Sequence, residues 1–182
     1  MFSIPLFEDE YPGDLQPIID GCKLLSKRPG VTKSNNHGYQ STDDLHTHPF
    51  MDPLIKWICM ESGDAFDAIG CAREQVFVEG CWFNLNNTMN AHNQIHLHSG
   101  LLSGVFYLEA PEGSGNINFI NTGFNQLWQG HHESLYRNDT NAFHFTVKPK
   151  PGMLYLWPSY LYHSVDSNHS DVERLSISFN LR

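Results

Sequence analysis

The sequence predicts an α+β, mainly β fold: a double-stranded β-helix, or jelly roll, braced by N-terminal helices. Three observations carry that expectation. Apolar residues recur at helical spacing only before residue 73. From Gln75 the period changes to two and holds to the end of the sequence. The 182 residues suit one domain with a sizeable core. We divide that domain into a helical support region, residues 1–73, and a jelly-roll core, residues 74–182.

The first helix is expected over residues 14–27, with Asp14 as N-cap and Pro29-Gly30 beyond its end. Its apolar face is Leu15, Ile18, Ile19, Cys22 and Leu25. A polar loop follows through Gln40. Asp52-Pro53 then sets a capping residue before a proline at the first helical position. That second helix runs to about Gly70, with Leu54, Trp57, Ile58, Ala65, Ala68 and Ile69 inward and Gly63 weakening it midway. Both helices are expected to brace the outside of a sheet. Strands follow near 75–79, 81–87, 93–98, 102–109, 115–120, 142–147, 152–157, 161–166 and 173–181. Short strands with turn residues between them suit a two-sheet jelly roll. The connection 121–141 is long for a compact domain, and we favour a lid over the site to a merely mobile loop. His131 and His132 within it read as solvated or substrate-facing.

Lys and Arg number 11 against 20 acidic residues, a formal charge of −9, which argues against nucleic-acid or anionic-membrane partners. No apolar run is long enough to span a membrane. Met1 to Glu10 shows neither a basic region nor a long apolar one, so no secretory signal is read and a cytoplasmic location is expected. Cys22, Cys59, Cys71 and Cys81 form no Cys-x-x-Cys pair and read as reduced thiols. The sequon at Asn138-Asp139-Thr140 is then incidental.

The chemistry concentrates in Asn93-Gln94-Ile95-His96-Leu97-His98. Residues two apart on a strand share a face, so His96 and His98 can converge on one ion. His163 lies in an apolar, aromatic run that reads as a buried strand and supplies a third imidazole. Three protein ligands leave metal positions open, as catalysis needs, whereas a structural site is closed by four. His92 shares the parity of His96 but ranks below His163, because three ligands from one strand would spread along it. Beyond His163, Arg174-Leu175-Ser176-Ile177-Ser178-Phe179-Asn180 alternates strictly, placing Arg174, Ser176 and Ser178 on one face. A guanidinium fork beside hydroxyls suits a carboxylate. With eleven histidines in the chain, His-x-His alone is a weak signal, and Arg174 alone reads as a surface ion-pair partner. The specificity lies in the ordered combination.

That combination resembles the iron(II)- and 2-oxoglutarate-dependent oxygenases, most nearly a poorly characterised bacterial and phage branch. The matching segments are Asn93, His96 and His98 with Ser103 to Tyr107, then Pro149 to Gly152, Pro158 to His163, and Arg174 to Asn180. Ser34 to Ser41 is similar to the branch's opening, so the likeness spans nearly the whole chain. The superfamily's commonest triad is His-x-Asp/Glu with a distal His. His98 replaces that carboxylate, leaving the site one unit more positive. The resemblance implies Fe(II) held by His96, His98 and His163, and 2-oxoglutarate with its far carboxylate on Arg174 and Ser176. It implies dioxygen as co-reactant and hydroxylation of a small-molecule or peptide substrate, with succinate and carbon dioxide released; a homodimer is admissible. Asn84, Asn93, Ser103 and Tyr107 are further candidates for cosubstrate contact, though alternation leaves the face of each open. Two other readings stand beside this one. The first is a three-histidine cupin-type dioxygenase that does not use 2-oxoglutarate, from which Arg174-x-Ser176 discriminates. The second is a non-catalytic, metal-stabilised binding module.

Overall fold

The computed structural model describes residues 4–71, 75–122 and 144–182. Strand β1 spans Phe7–Glu10, and helix α1 follows at Gln16–Leu25. Asp14 does start this helix, but from one residue outside the cap position, its carboxylate accepting the Gln16 N–H at 3.0 Å. Pro17 occupies the first turn, where its missing N–H costs nothing. The helix buries Ile18, Ile19 and Cys22. Strands β2 (Asn35–Asn36) and β3 (Tyr39–Gln40) precede helix α2 at Asp52–Ala68, which opens with Asp52 and Pro53 in its first turn. Leu54, Trp57, Ile58 and Ala65 point inward as expected, and Gly63 is buried without breaking the helix. The end of the face differs from expectation. Phe66 is the buried residue, one turn beyond Ser62, and this puts Ala68, about 200° further round, in solvent.

The later strands are β4 (Val78–Asn86), β5 (His92–His96), β6 (Leu102–Glu109), β7 (Ile117–Ile120), β8 (His144–Val147), β9 (Met153–Pro158), β10 (Tyr162–Val165) and β11 (Arg174–Leu181). They form two antiparallel sheets, ordered β1-β9-β6-β11-β4-β3 and β2-β5-β10-β7-β8. The strands expected at 75–79 and 81–87 are one strand. Gly80, which reads as a break, sits where the β11 register slips between Asn180 opposite Gly80 and Leu181 opposite Val78, so a bulge absorbs it. The first 73 residues do more than brace. They add β1 to the β9 edge, β2 to β5 and β3 to β4, supplying edge strands to both sheets.

The helices pack on the outer face of the larger sheet. There Ile18, Cys22, Leu54, Ile58 and Phe66 share one core with Cys81, Phe83, Phe106, Leu156, Ile177 and Phe179. Each such side chain removed from water contributes about 1.5–3 kcal/mol. A second core, including Val105, Tyr107, Ile117, Phe119, Tyr155 and Trp157, lies between the sheets. Gly104 marks the tightest point of β6, because an added Cβ would overlap the Phe179 ring. Alternation therefore sends the even residues of β4 and β11 into the space between the sheets: Trp82, Asn84 and Asn86, and Arg174, Ser176, Ser178 and Asn180. That interior is apolar toward β9 and β6 and polar toward β11 and β4.

Candidate metal centre

At the polar end of this interior β10 runs beside β5 with His163 directly opposite His96. His98 joins them, and one ligand nitrogen from each of the three lies within 4.8 Å of the others. Ring centroids are 4.3 Å apart for His96 and His163, 4.9 Å for His96 and His98, and 5.0 Å for His98 and His163. Strand parity was the expected reason for placing His98, but β5 ends at His96. The backbone N–H of His98 donates instead to the Ser159 carbonyl at 3.1 Å, which holds the chain across β10's leading turn.

The imidazoles are prepared for a cation. His163 Nδ1 is 3.0 Å from the Leu161 carbonyl and His96 Nδ1 is 2.6 Å from the Gln94 carbonyl. A carbonyl only accepts, so Nδ1 carries the proton and Nε2 keeps its lone pair. Burial holds all three rings below the ordinary histidine range, and the neighbouring imidazoles lower two of them further: His98 to about 4 and His163 to about 3. All three are neutral at pH 7, the form that binds metal. Three neutral nitrogen donors suit a first-row divalent ion with positions left open.

Beside the cluster a cleft is lined by Arg174, Ser176, Ser178, Asn84, Tyr107, Trp157, Trp82 and Asn93. Arg174 is 2 % exposed. Its Nη1 donates to the carbonyls of Ser114 at 2.6 Å and Gly115 at 3.2 Å, and both of its hydrogen bonds among the described residues leave from that one nitrogen. Burial lowers its pKa, partly offset by Tyr107 and Asp166; guanidinium stays charged all the same. Tyr107 is buried next to it, its phenol pushed up to about 12 by burial. A buried cation with free donors in a cleft suits a carboxylate.

The other expected contacts are placed differently. Asn84 commits an amide N–H to Ser178 Oγ at 3.2 Å, and its Oδ1 is buried without a hydrogen-bond partner among the described residues. Asn93 donates to Ser34 Oγ, which stands 3.4 Å from His96 Nε2. Ser103 is not part of the cleft lining: it bonds Ser159 and Asn180 at the end of β6. His92 bonds Asn36 and the Asn90 carbonyl outside the cluster. Neither Glu109, paired with Lys23 at 2.8 Å, nor Asp166, bonded to Asn118 at 2.6 Å, joins the histidines. The lid expected over 121–141, with His131 and His132, lies outside the described residues from position 123 on. Ser34, Trp82 and Trp157 were not foreseen. Trp82 was detectable from its parity with Asn84, and its ring lies 5.3 Å from His98.

No curated protein matches the sequence. Solved structures do match over almost its full length. The epimerase SnoN of nogalamycin biosynthesis, in complex with Fe3+, alpha-ketoglutarate and nogalamycin RO, superposes with a TM-score of 0.70 at 13% identity, covering 98% of this chain and 78% of that one. A Pseudomonas putida prolyl-4-hydroxylase gives 0.66 at 14% identity, over 97% and 92%. HygX from Streptomyces hygroscopicus, with nickel and 2-oxoglutarate bound, gives 0.63 at 10% identity, over 98% and 83%. Likeness at such identities shows the fold, the expected double-stranded β-helix. A family model described as "Putative 2OG-Fe(II) oxygenase" matches residues 80–180, more than half of the sequence, from within β4 to within β11. The chain belongs to the iron(II)- and 2-oxoglutarate-dependent oxygenases.

Proposed function

We propose that His96, His98 and His163 bind the iron, that Arg174 with Ser176 and Tyr107 receives the far carboxylate of 2-oxoglutarate, and that the product is a hydroxylated small molecule or peptide. One observation carries this assignment: a buried, charged guanidinium shares a cleft with the histidine cluster, although no carboxylate lines that cleft among the described residues. An anion brought by a ligand completes it. When bound, iron and 2-oxoglutarate supply an oxidative decarboxylation in which 2-oxoglutarate and dioxygen become succinate and carbon dioxide and one oxygen atom enters a substrate C–H bond.

The protein's own part is positional. The carbonyls of Leu161 and Gln94 hold the rings of His163 and His96 in the tautomer that presents Nε2. Ser114 and Gly115 fix Arg174, so its remaining donors meet a carboxylate without reordering a long side chain. Val105, Ile117 and Trp157 line the cleft's apolar side and exclude water, which strengthens the charge-assisted contact at Arg174. A second, more open cleft bounded by Trp82, Ile95, Leu97 and Ser34 reaches His96 and His98, and we assign substrate entry to it. Asn84 Oδ1, an acceptor with no described partner, suits a donor on the substrate better than a carboxylate. The four free cysteines agree with a cytoplasmic location.

Anaerobic titration of iron-loaded protein with 2-oxoglutarate tests the assignment. Metal-to-ligand absorbance should develop and saturate, and admitting dioxygen should release succinate. An iron-loaded wild type giving neither would refute it.

A further inference from the structure

His98 is the member of the cluster that no strand carries, since β5 stops at His96. Its backbone depends on the hydrogen bond from its N–H to the Ser159 carbonyl. Ser159 is itself held from within. It is 1 % exposed, its N–H donates to the Leu101 carbonyl at 3.1 Å, and its Oγ lies 2.8 Å from Ser103 Oγ. Ser103, equally buried, donates to Asn180 Oδ1 at 2.9 Å. A hydroxyl has one proton to give, so Ser103 accepts from Ser159 and the chain of donors runs Ser159 to Ser103 to Asn180. It ends on a carboxamide of β11, and Ser103 and Asn180 are themselves direct partners across β6 and β11. Gly100 makes the turn between His98 and β6 at φ +109, a conformation that strains any residue with a Cβ, and lies in van der Waals reach of the Leu181 carbonyl and Ser159 Oγ. The route from His98 to the central strands of the larger sheet therefore consists of one main-chain bond and two side-chain bonds, of which the Ser159–Ser103 bond is fully buried and the Ser103–Asn180 bond partly so.

We propose that Ser103, Ser159 and Asn180 are positioning residues that set where His98 stands in the metal centre. This rests on His98 being a metal ligand. The argument is geometric: a ligand on a strand is placed by its ladder, and one beyond a strand end needs another anchor. The two hydroxyls, one on β6 and one in the turn after β9, are buried against each other, and that gives the anchor a defined length. Partners that orient a metal ligand are worth about 10- to 100-fold in metal affinity.

The test is a pair of double-mutant cycles on the full chain, read by Co(II) affinity, by the visible d–d bands of bound Co(II), and by thermal melting without metal. Ser103→Ala and Ser159→Ala should each weaken Co(II) by on the order of tenfold and shift the bands. Together they should cost little more than either alone, because both cut one chain. In the His98→Ala background, Ser103→Ala should leave the remaining Co(II) affinity unchanged while still lowering the melting point. Equal loss of affinity in both backgrounds, or full affinity with unshifted bands in the single variants, overturns the proposal and leaves the histidine assignment standing. Wild-type affinity in His98→Ala overturns both. Should Ser103→Ala fail to fold, Asn180→Ser carries the same cycle from the far end of the network.

Discussion

Replacing Arg174 with Leu separates a cosubstrate anchor from a structural cation. The guanidinium is 2 % exposed, so water does not screen a contact made to it. A hydrogen bond to a charged group is worth about 1.5–3 kcal/mol, which converts to a roughly 10- to 150-fold rise in the dissociation constant of 2-oxoglutarate. The same substitution abandons the carbonyls of Ser114 and Gly115, so stability falls as well, by about 1–3 kcal/mol for each carbonyl left dry. A second ligand isolates the anchor. 2-Oxobutanoate retains the 2-oxo acid that meets the metal but has no far carboxylate. Wild type should bind it far more weakly than 2-oxoglutarate, and Arg174→Leu should bind the two alike while keeping its Fe(II) affinity. Arg174→Lys should recover only part of the preference, because an ammonium lacks the planar fork and cannot serve both the carbonyls and the carboxylate. The assay is anaerobic absorbance titration of each protein with each acid. If Arg174→Leu weakens both acids by the same factor, the residue acts only by holding the Ser114–Gly115 turn, and the anchor argument fails.

Three further outcomes are expected. His96→Ala and His163→Ala should each abolish stoichiometric divalent-metal binding in calorimetry, and retention of wild-type affinity in both would disprove the ligand set. Gly104→Ala should destabilise by about 1–3 kcal/mol through overpacking against Phe179 and Leu156; an unchanged urea midpoint would contradict that packing. Burial raises the Cys22 thiol from 9.0 to about 12 and Cys81 well above 9.0. Above pH 9 the unfolded chain therefore releases thiol protons that the native state keeps, and stability should fall by about 1.4 kcal/mol per pH unit for each thiol. The loss should be absent below pH 9 and should shrink in Cys22→Ala, and an identical alkaline slope in that variant would exclude burial of this thiol as the cause.

What the sequence disclosed and what it hid divide along a physical line. Arg174 stands in a strictly alternating run and His163 in an apolar, aromatic one, so each stands where a local pattern marks a strand. His98 does not: its place is fixed by Ser159, sixty-one residues on, and no local pattern encodes a partner at that separation. Edge strands β1, β2 and β3 escaped notice for a related reason. Phe-Glu-Asp-Glu and two dipeptides carry no apolar alternation, and main-chain pairing to β9, β5 and β4 holds them. Gly80 misled because a bulge and a turn look alike until the partner strand is known.

One distinction was within reach of the sequence. Alternation on β11 and β4 admits two meanings, a sheet face in solvent or a polar interior, since period two says only that the faces differ. Composition decides between them. Solvated faces draw on Lys and Glu, which are almost never fully buried unless paired, whereas Asn and Ser can be enclosed once bonded. Positions 82, 84 and 86 are Trp, Asn and Asn, and positions 176, 178 and 180 are Ser, Ser and Asn. Neither set contains a Lys or a Glu, and the one cation in phase with them within β4 and β11 is Arg174, buried against the Ser114 and Gly115 carbonyls. Adjacent strands that are apolar on one face and carry hydroxyls, carboxamides and a single guanidinium on the other describe a lined cavity. In this chain that cavity is where the histidines converge.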